Sequence, residues 1–400
     1  MISTYRRVLS VPGALAFSLS GLVARLPISM VSLGIVLLVS ARTGSYGLAG
    51  GVSASYLVAG AAFAVLQARL VDRYGQGRVL SGAVVLFSVG LALMTFAVQS
   101  GWPVPLPHLF AALAGATLPQ IGSSVRARWS HVLADKRMLQ TAFAFEAAVD
   151  ESVFMIGPTL VTFLATAVHP TAGLTAAVVA AVAGTFALVS QRRTEPPPRS
   201  TRRARGQGPM GWAVLGPLVV SAVALGVLFG AVEVSTVAFS QEQGNKALSG
   251  VVLAVFALGS LLSGLVTGAL QIRASNAARY RWGLLALSVA MLPLPFVRGF
   301  PLLGLLLFVA GFTISPTLIA SVAWVEETVP AGRLTEGIAT LTTGLSAGVA
   351  PGAAVAGWVI DRYGASLSFW VPVCAGLLGV VVAFGASVLP RFRARASSPT

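Results

Sequence analysis

The sequence predicts an all-α integral membrane protein, with twelve transmembrane helices arranged as two pseudo-symmetric six-helix bundles. Three observations carry this expectation. Of 400 residues, 56% are hydrophobic and only 10% are charged, with a mean hydropathy of +0.85; a soluble chain carries charge at roughly a quarter of its positions. The apolar residues fall into runs about 20 residues long, the length one helix needs to cross a bilayer. A basic stretch near the midpoint separates six such runs from six more.

Charges mark the ends of membrane helices, so intervals free of Asp, Glu, Lys and Arg read directly as spans. Residues 43–68, 206–232, 247–272, 299–325, 337–360 and 363–390 are each the length of one helix. The intervals 79–125 and 152–191 are too long for that, and each contains turn chemistry at its centre, GWPVPLPH at 101–108 and HPTAG at 169–173. Proline and glycine cannot continue a helix there, so each interval predicts a helical hairpin. A further span, 282–297, lies between Arg281 and Arg298, and the first, 13–40, contains a single charge, Arg25. The predicted spans are 13–40, 47–68, 79–98, 105–125, 141–166, 172–190, 211–239, 248–270, 282–297, 302–325, 336–360 and 367–389. Arg6 and Arg7 ahead of VLSVPGALAFSLSGLVA have the look of a secretory signal, but no small-residue cleavage site follows, so the first helix is expected to stay attached.

The formal charge of +15, from 27 basic against 12 acidic residues, would in a soluble protein suggest a nucleic-acid partner. Its distribution says otherwise. With the amino terminus in the cytoplasm, 22 basic residues fall in cytoplasmic segments, four (Arg42, Lys246, Arg298, Arg362) fall outside, and Arg25 lies within the membrane. That is the positive-inside pattern of a plasma-membrane protein with both termini cytoplasmic. The predicted domains are 1–190, a six-helix bundle; 191–209, a basic cytoplasmic linker drawn to anionic lipid; and 210–400, a second bundle with a short basic tail. The preference for arginine, with only two lysines, suggests a GC-rich bacterial gene. Cys374, the single cysteine, is expected to be a buried packing thiol.

An internal repeat relates the two halves. LAGGVSASY at 48–56 matches LSGVVLAVF at 248–256, AGATLPQ at 114–120 matches AGFTISPT at 310–317, and Gly157-Pro158 matches Ala350-Pro351. The offsets are nearly constant at 200, 196 and 193 residues. Twelve helices in two halves, a basic central linker, and ARLVDRYGQGR between spans two and three together resemble the major facilitator superfamily of secondary transporters. Asp72, Arg73, Gly75 and Arg78 stand in register with that family's loop signature, while Ala68 and Gly77 depart from it.

The loop has its own physical logic. A tight turn between helices needs the freedom of Gly75 and Gly77, and Asp72 can accept helix N–H groups or pair with arginine, with Arg126 and Arg128 as expected partners. The resemblance implies a gating latch; a simple turn is the alternative. A second DRYG at 361–364 is off the repeat, so Asp361 is expected to be a helix-end turn residue.

Ionisable residues inside spans are costly and are therefore functional candidates. They are Arg25 in span one, Glu146, Asp150 and Glu151 in span five, and Glu233 in span seven. Glu146 and Asp150 share a helical face, and Glu151 turns away by about 100°. One reading is a structural ion pair between Arg25 and a span-five acid. The other is a proton-coupling cluster in the central cavity, because a carboxylate destabilised by burial or a like-charged neighbour can carry a proton. Gly157 and Pro158 resemble the helix-bending dipeptide of the family's exporters, although Val153, Val161 and Thr162 replace its flanking glycines. Ser29, Gln120, Phe229 and Trp324 are possible cavity residues.

The expected function is secondary active transport of a small molecule by alternating access, as proton-coupled efflux of a drug-like or natural-product compound. Sugar or metabolite efflux, or import on the same fold, is the alternative. A membrane-embedded lipid enzyme would need a catalytic motif, and no GxSxG, HExxH or phosphate-binding GxxxxGK[ST] occurs. No enzyme activity, cofactor, metal site or nucleic-acid partner is expected. The expected partners are a small-molecule substrate, protons and the bilayer, with the protein as a monomer.

Overall fold

The computed structural model describes residues 7–198, 211–269, 274–330 and 334–385, and every regular element among them is helical. Arg6, Arg199, Arg202, Arg203, Arg205, Arg273, Arg333, Arg391, Arg393 and Arg395, ten of the basic residues used to orient the chain, lie outside the described residues, as does most of the predicted linker.

The chain divides into two compact units, Met1–Gly44 with Ser55–Arg202, and Ser45–Ala54 with Arg203–Thr400. The first holds α1 (Ala14–Thr43), most of α2 (Tyr46–Tyr74), α3 (Gln76–Gln99), α4 (Pro105–Thr117), α5 (Ile121–Val132), α6 (Lys136–Ala167) and α7 (Ala172–Ser190). Each predicted span of this half meets a helix, and the fourth is divided into α4 and α5. The division follows from Pro119: the residue before a proline is driven out of the helical region, and Leu118 has φ −57° and ψ 119°. Within this unit α1 packs against α6 and α7, and α3 packs against α4 and α7.

The second unit holds the start of α2 together with α8 (Trp212–Glu242), α9 (Leu248–Ala269), α10 (Asn276–Met291), α11 (Phe300–Gly311), α12 (Ile314–Thr328), α13 (Leu334–Tyr363), the single turn α14 (Ala365–Ser368) and α15 (Trp370–Gly385). Here α8 packs against α13 and α15, α9 against α11, and α10 against α12 and α15. Span ten is divided as span four is. Pro316 has no N–H for the carbonyl of Phe312, and the chain leaves α11 at that residue. Among the described residues, eight helical stretches, one of them Phe300–Thr328 taken whole, are long and apolar enough to cross a membrane by length and composition, and Ser152–Ala167 and Leu248–Gly264 are shorter apolar helices.

The repeat read from the sequence reappears as packing inside each unit. Gly115 lies against the backbone of Tyr56 at the contact of α4 with α2, and Gly311 lies against the backbone of Phe256 at the contact of α11 with α9. These pairs stand at the two offsets found in the sequence. Pro158 and Pro351, at the third offset, both lie inside long helices, α6 and α13. Cys374 corrects an expectation: it is exposed on α15, because it lines an open apolar groove beside α8 and α13 that leaves its thiol uncovered.

Candidate functional site

The charges predicted inside the first bundle form one network. Arg25 lies one short step before Pro27 on α1 and is 1% exposed. On α6 the spacing of four places Glu146 and Asp150 on the side facing it. Nη2 of Arg25 donates to Oε2 of Glu146 at 2.5 Å, and Nη1 donates to Oδ1 of Asp150 at 2.9 Å. Arg126, on α5, donates from Nη2 to the other oxygen of Asp150 at 2.6 Å. Two arginines and two carboxylates therefore balance.

The two acids differ in their surroundings. Glu146 is fully buried, and its Oε1 also accepts from Ser18 Oγ at 2.7 Å and from Trp129 Nε1 at 2.8 Å. Trp129 is itself buried and meets Phe17 edge-on, with ring centroids 4.6 Å apart. Asp150 is the accessible end of the network: its side chain is 31% exposed and that of Arg126 is 40% exposed. An uncompensated charge in such a site would cost several kcal/mol, so the balance is what allows the network to exist.

Other predicted residues fall elsewhere. Glu151 is on α6, but its side chain lies outside the described set. Glu233 is half-buried on α8, in the second unit. Gly157 packs against the Ser29 side chain, whose hydroxyl donates to the Val153 carbonyl at 2.8 Å, so this glycine sets the close approach of α1 to α6. Gln120 caps α5, and its N–H is taken by Oε1 of the buried Gln67 at 2.8 Å. Phe229 packs on Phe256, and Trp324 packs on Tyr280 beneath the Arg281 guanidinium.

The gating loop requires a correction. Neither expected arginine pairs with Asp72, which is exposed. Arg126 is held by Asp150. Arg128 is fully buried beneath the start of α3, where Nε donates to Gln76 Oε1 at 2.8 Å and Nη1 donates to the Gln191 carbonyl at 2.9 Å and Thr194 Oγ1 at 2.8 Å. The reason is prior commitment: Arg128 points inward to satisfy acceptors at Gln76, Gln191 and Thr194, while Asp72 is exposed to solvent. Burial pushes the Arg128 guanidinium down to about 10, with Glu195 opposing that shift. Glu195 was not anticipated; it accepts the N–H of Gly77 at 2.8 Å and caps α3. Its only sequence signal is a lone acid in a basic segment. Arg73 lies over the Tyr74 ring, 5.1 Å from its centroid, and Arg78 is exposed. Among the described residues no cluster of His, Cys, Asp and Glu has the makings of a metal site.

Long apolar helices in two compact units, with a compensated charge cluster between helices of the first, are the pattern of a polytopic membrane protein. The family model of the Major Facilitator Superfamily matches residues 17–296 and again 218–400. The chain belongs to that superfamily. Its fold is similar to those of a D-xylose–proton symporter (TM-score 0.69, 15% identity, covering 93% of this chain and 96% of that one), the POT family transporter PepTSo (0.67, 12%, 98% and 99%) and the nucleoside transporter NupG (0.73, 12%, 93% and 99%). No curated protein sequence matches the chain.

Proposed function

We propose that this transporter exports a small amphipathic molecule, drug-like or a natural product, in exchange for protons, as a monomer in the plasma membrane with both termini in the cytoplasm. Asp150 is the proton-carrying group in this reading. The observation that carries it is the position of Asp150 at the accessible end of a buried, charge-balanced network, shared between Arg25 and Arg126. A proton arriving on Asp150 would leave one positive charge in excess, and the half-exposed Arg126 is the member free to move into water. Proton arrival and a shift of α5 against α6 are thereby coupled. Glu146 holds Arg25 in place throughout. Glu151 and Glu233 are further candidates, the loop of Asp72, Arg73, Gly75 and Arg78 is the proposed gate, and Gly157-Pro158 the proposed bend.

The test uses everted membrane vesicles carrying an acid-inside gradient reported by a quenched dye. Candidate amphipathic cations, chosen by their stabilisation of the purified protein against heat, should release quenching with the parent protein and not with Asp150→Asn. Equal release by both would remove Asp150 from the coupling. A second reading is inward symport of a polar solute. It is favoured by similarity to proteins described as a D-xylose–proton symporter and a nucleoside transporter. It predicts stabilisation by sugars or nucleosides and a flux of the opposite sense.

A further inference from the structure

An open groove in the first unit has no part in the reading above. It runs between α2, α3 and the end of α4, has a volume of about 490 Å³, and is floored by Phe63, Leu66, Leu70, Val79, Ala83 and Leu86. Two polar side chains border it, and both are engaged elsewhere. The Thr117 hydroxyl donates to the Leu113 carbonyl at 2.7 Å, and Oε1 of the buried Gln67 accepts the N–H of Gln120 at 2.8 Å. Gly82 lines the groove as well, and a Cβ built there would meet nothing within 4 Å. The stretch of α2 from Phe63 to Tyr74 is about 16 Å long at 1.5 Å per residue, half the thickness of a hydrocarbon core of about 30 Å. The groove therefore has the length of one leaflet.

Charge gathers at one end only. Arg78 lines the groove where α3 begins, and Arg73 lies 5.1 Å over the ring of Tyr74, another lining residue. Both arginines are exposed. Asp72 shares their turn and Glu195 approaches it, but Glu195 is spent on the Gly77 N–H and on the buried Arg128, and Arg69 adds a third exposed arginine at the end of α2. Positive charge is thus in excess beside an apolar floor. The second unit has an apolar groove too, of about 400 Å³ beside α8, α13 and α15, and no charged residue lines it. Apolar surface alone fits any acyl chain. Apolar surface ending in two guanidinium groups selects a headgroup.

We propose that the groove between α2, α3 and α4 binds an anionic phospholipid, with an acyl chain along the floor and the phosphate between Arg73 and Arg78. Guanidinium groups pair with phosphate through parallel N–H bonds, and basic pockets beside membrane helices hold anionic headgroups in this way. A soluble anion would use the arginines and leave the floor bare. A zwitterionic lipid would cover the floor but bring a cation toward the arginines. The leaflet is the one adjoining the turn between α2 and α3. The inference does not depend on the substrate, on the coupling ion or on the gate proposed for that turn.

The test uses full-length protein, purified in detergent and stripped of lipid, with native mass spectrometry to count bound lipid. Phosphatidylglycerol should bind roughly tenfold more tightly than phosphatidylcholine with the same chains. Arg73→Gln with Arg78→Gln should weaken phosphatidylglycerol binding by roughly tenfold and leave phosphatidylcholine unchanged. Gly82→Phe fills the floor while keeping both arginines, so it should weaken phosphatidylglycerol as well, and it carries the test alone if the arginine variant fails to fold. Arg298→Gln, which removes an exposed charge from the second unit, should bind like the parent. Equal binding of the two lipids by the parent protein overturns the proposal. So does undiminished phosphatidylglycerol binding in a folded groove variant, or equal weakening in Arg298→Gln. Displacement of the lipid by equimolar glycerol phosphate would make the ligand a soluble phosphate and overturn it too.

Discussion

Glu146 receives three donors at a point no water reaches, and one of them is the guanidinium of a fully buried arginine. Removing its charge leaves Arg25 to share Asp150 with Arg126. Breaking a buried pair from one side costs about 3–5 kcal/mol, because the surviving charge stays desolvated. Glu146→Gln should therefore lower the thermal unfolding midpoint of the purified protein sharply. Replacing both partners by apolar residues, Arg25→Met with Glu146→Leu, should recover much of the loss. A double variant as unstable as the single one would show that the network's value lies elsewhere. At this scale the sequence revealed who the partners are, since few charges occur within spans and a spacing of four sets them on one face. It could not reveal that Trp129 and Ser18 would saturate one acid and leave the other accessible. Nor could it place Glu195, whose cap acts between segments more than 100 residues apart.

At the scale of the helix, span positions were legible because bilayer thickness imposes a length and charges mark the ends. The divisions of spans four and ten were not, because their prolines sit in runs as apolar as any other. The glycine contacts follow from the repeat but become specific only in three dimensions. Gly115 and Gly311 face carbonyl oxygens so closely that an added Cβ would overlap them. Small residues at such crossings let backbones approach where no hydrophobic effect drives association in lipid. Gly115→Ala and Gly311→Ala should each destabilise the protein by about 1–3 kcal/mol or more, the usual cost of overpacking. Gly304→Ala, in α11 with nothing within 4 Å of the added methyl, should be neutral or slightly stabilising. Thermal unfolding and the yield of monodisperse protein would separate them. Equal loss at Gly304 would show that the close backbone contact is not what makes the other two substitutions costly.

Across the whole molecule, the strongest regularity in the sequence is the placement of its arginines, and it makes a claim that helix packing alone does not. An even number of spans puts both ends of the chain on one face, but packing is indifferent to which face that is. Basic residues decide, each being drawn to the anionic cytoplasmic surface by about 1 kcal/mol. Arg42, Lys246 and Arg298 stand singly at or just after the ends of α1, α8 and α10, whereas several basic residues gather at the ends of α2, α5 and α7 or just beyond them. Single cysteines at Val168 and Asn245, in protein lacking Cys374, should therefore react with a membrane-impermeant maleimide in intact cells. Cysteines at Ser10 and Ser190, both exposed positions, should react only after permeabilisation. The reverse pattern would invert the molecule. Reaction at all four sites in intact cells would indicate a mixed population, in which the arginine asymmetry was too weak to orient the chain.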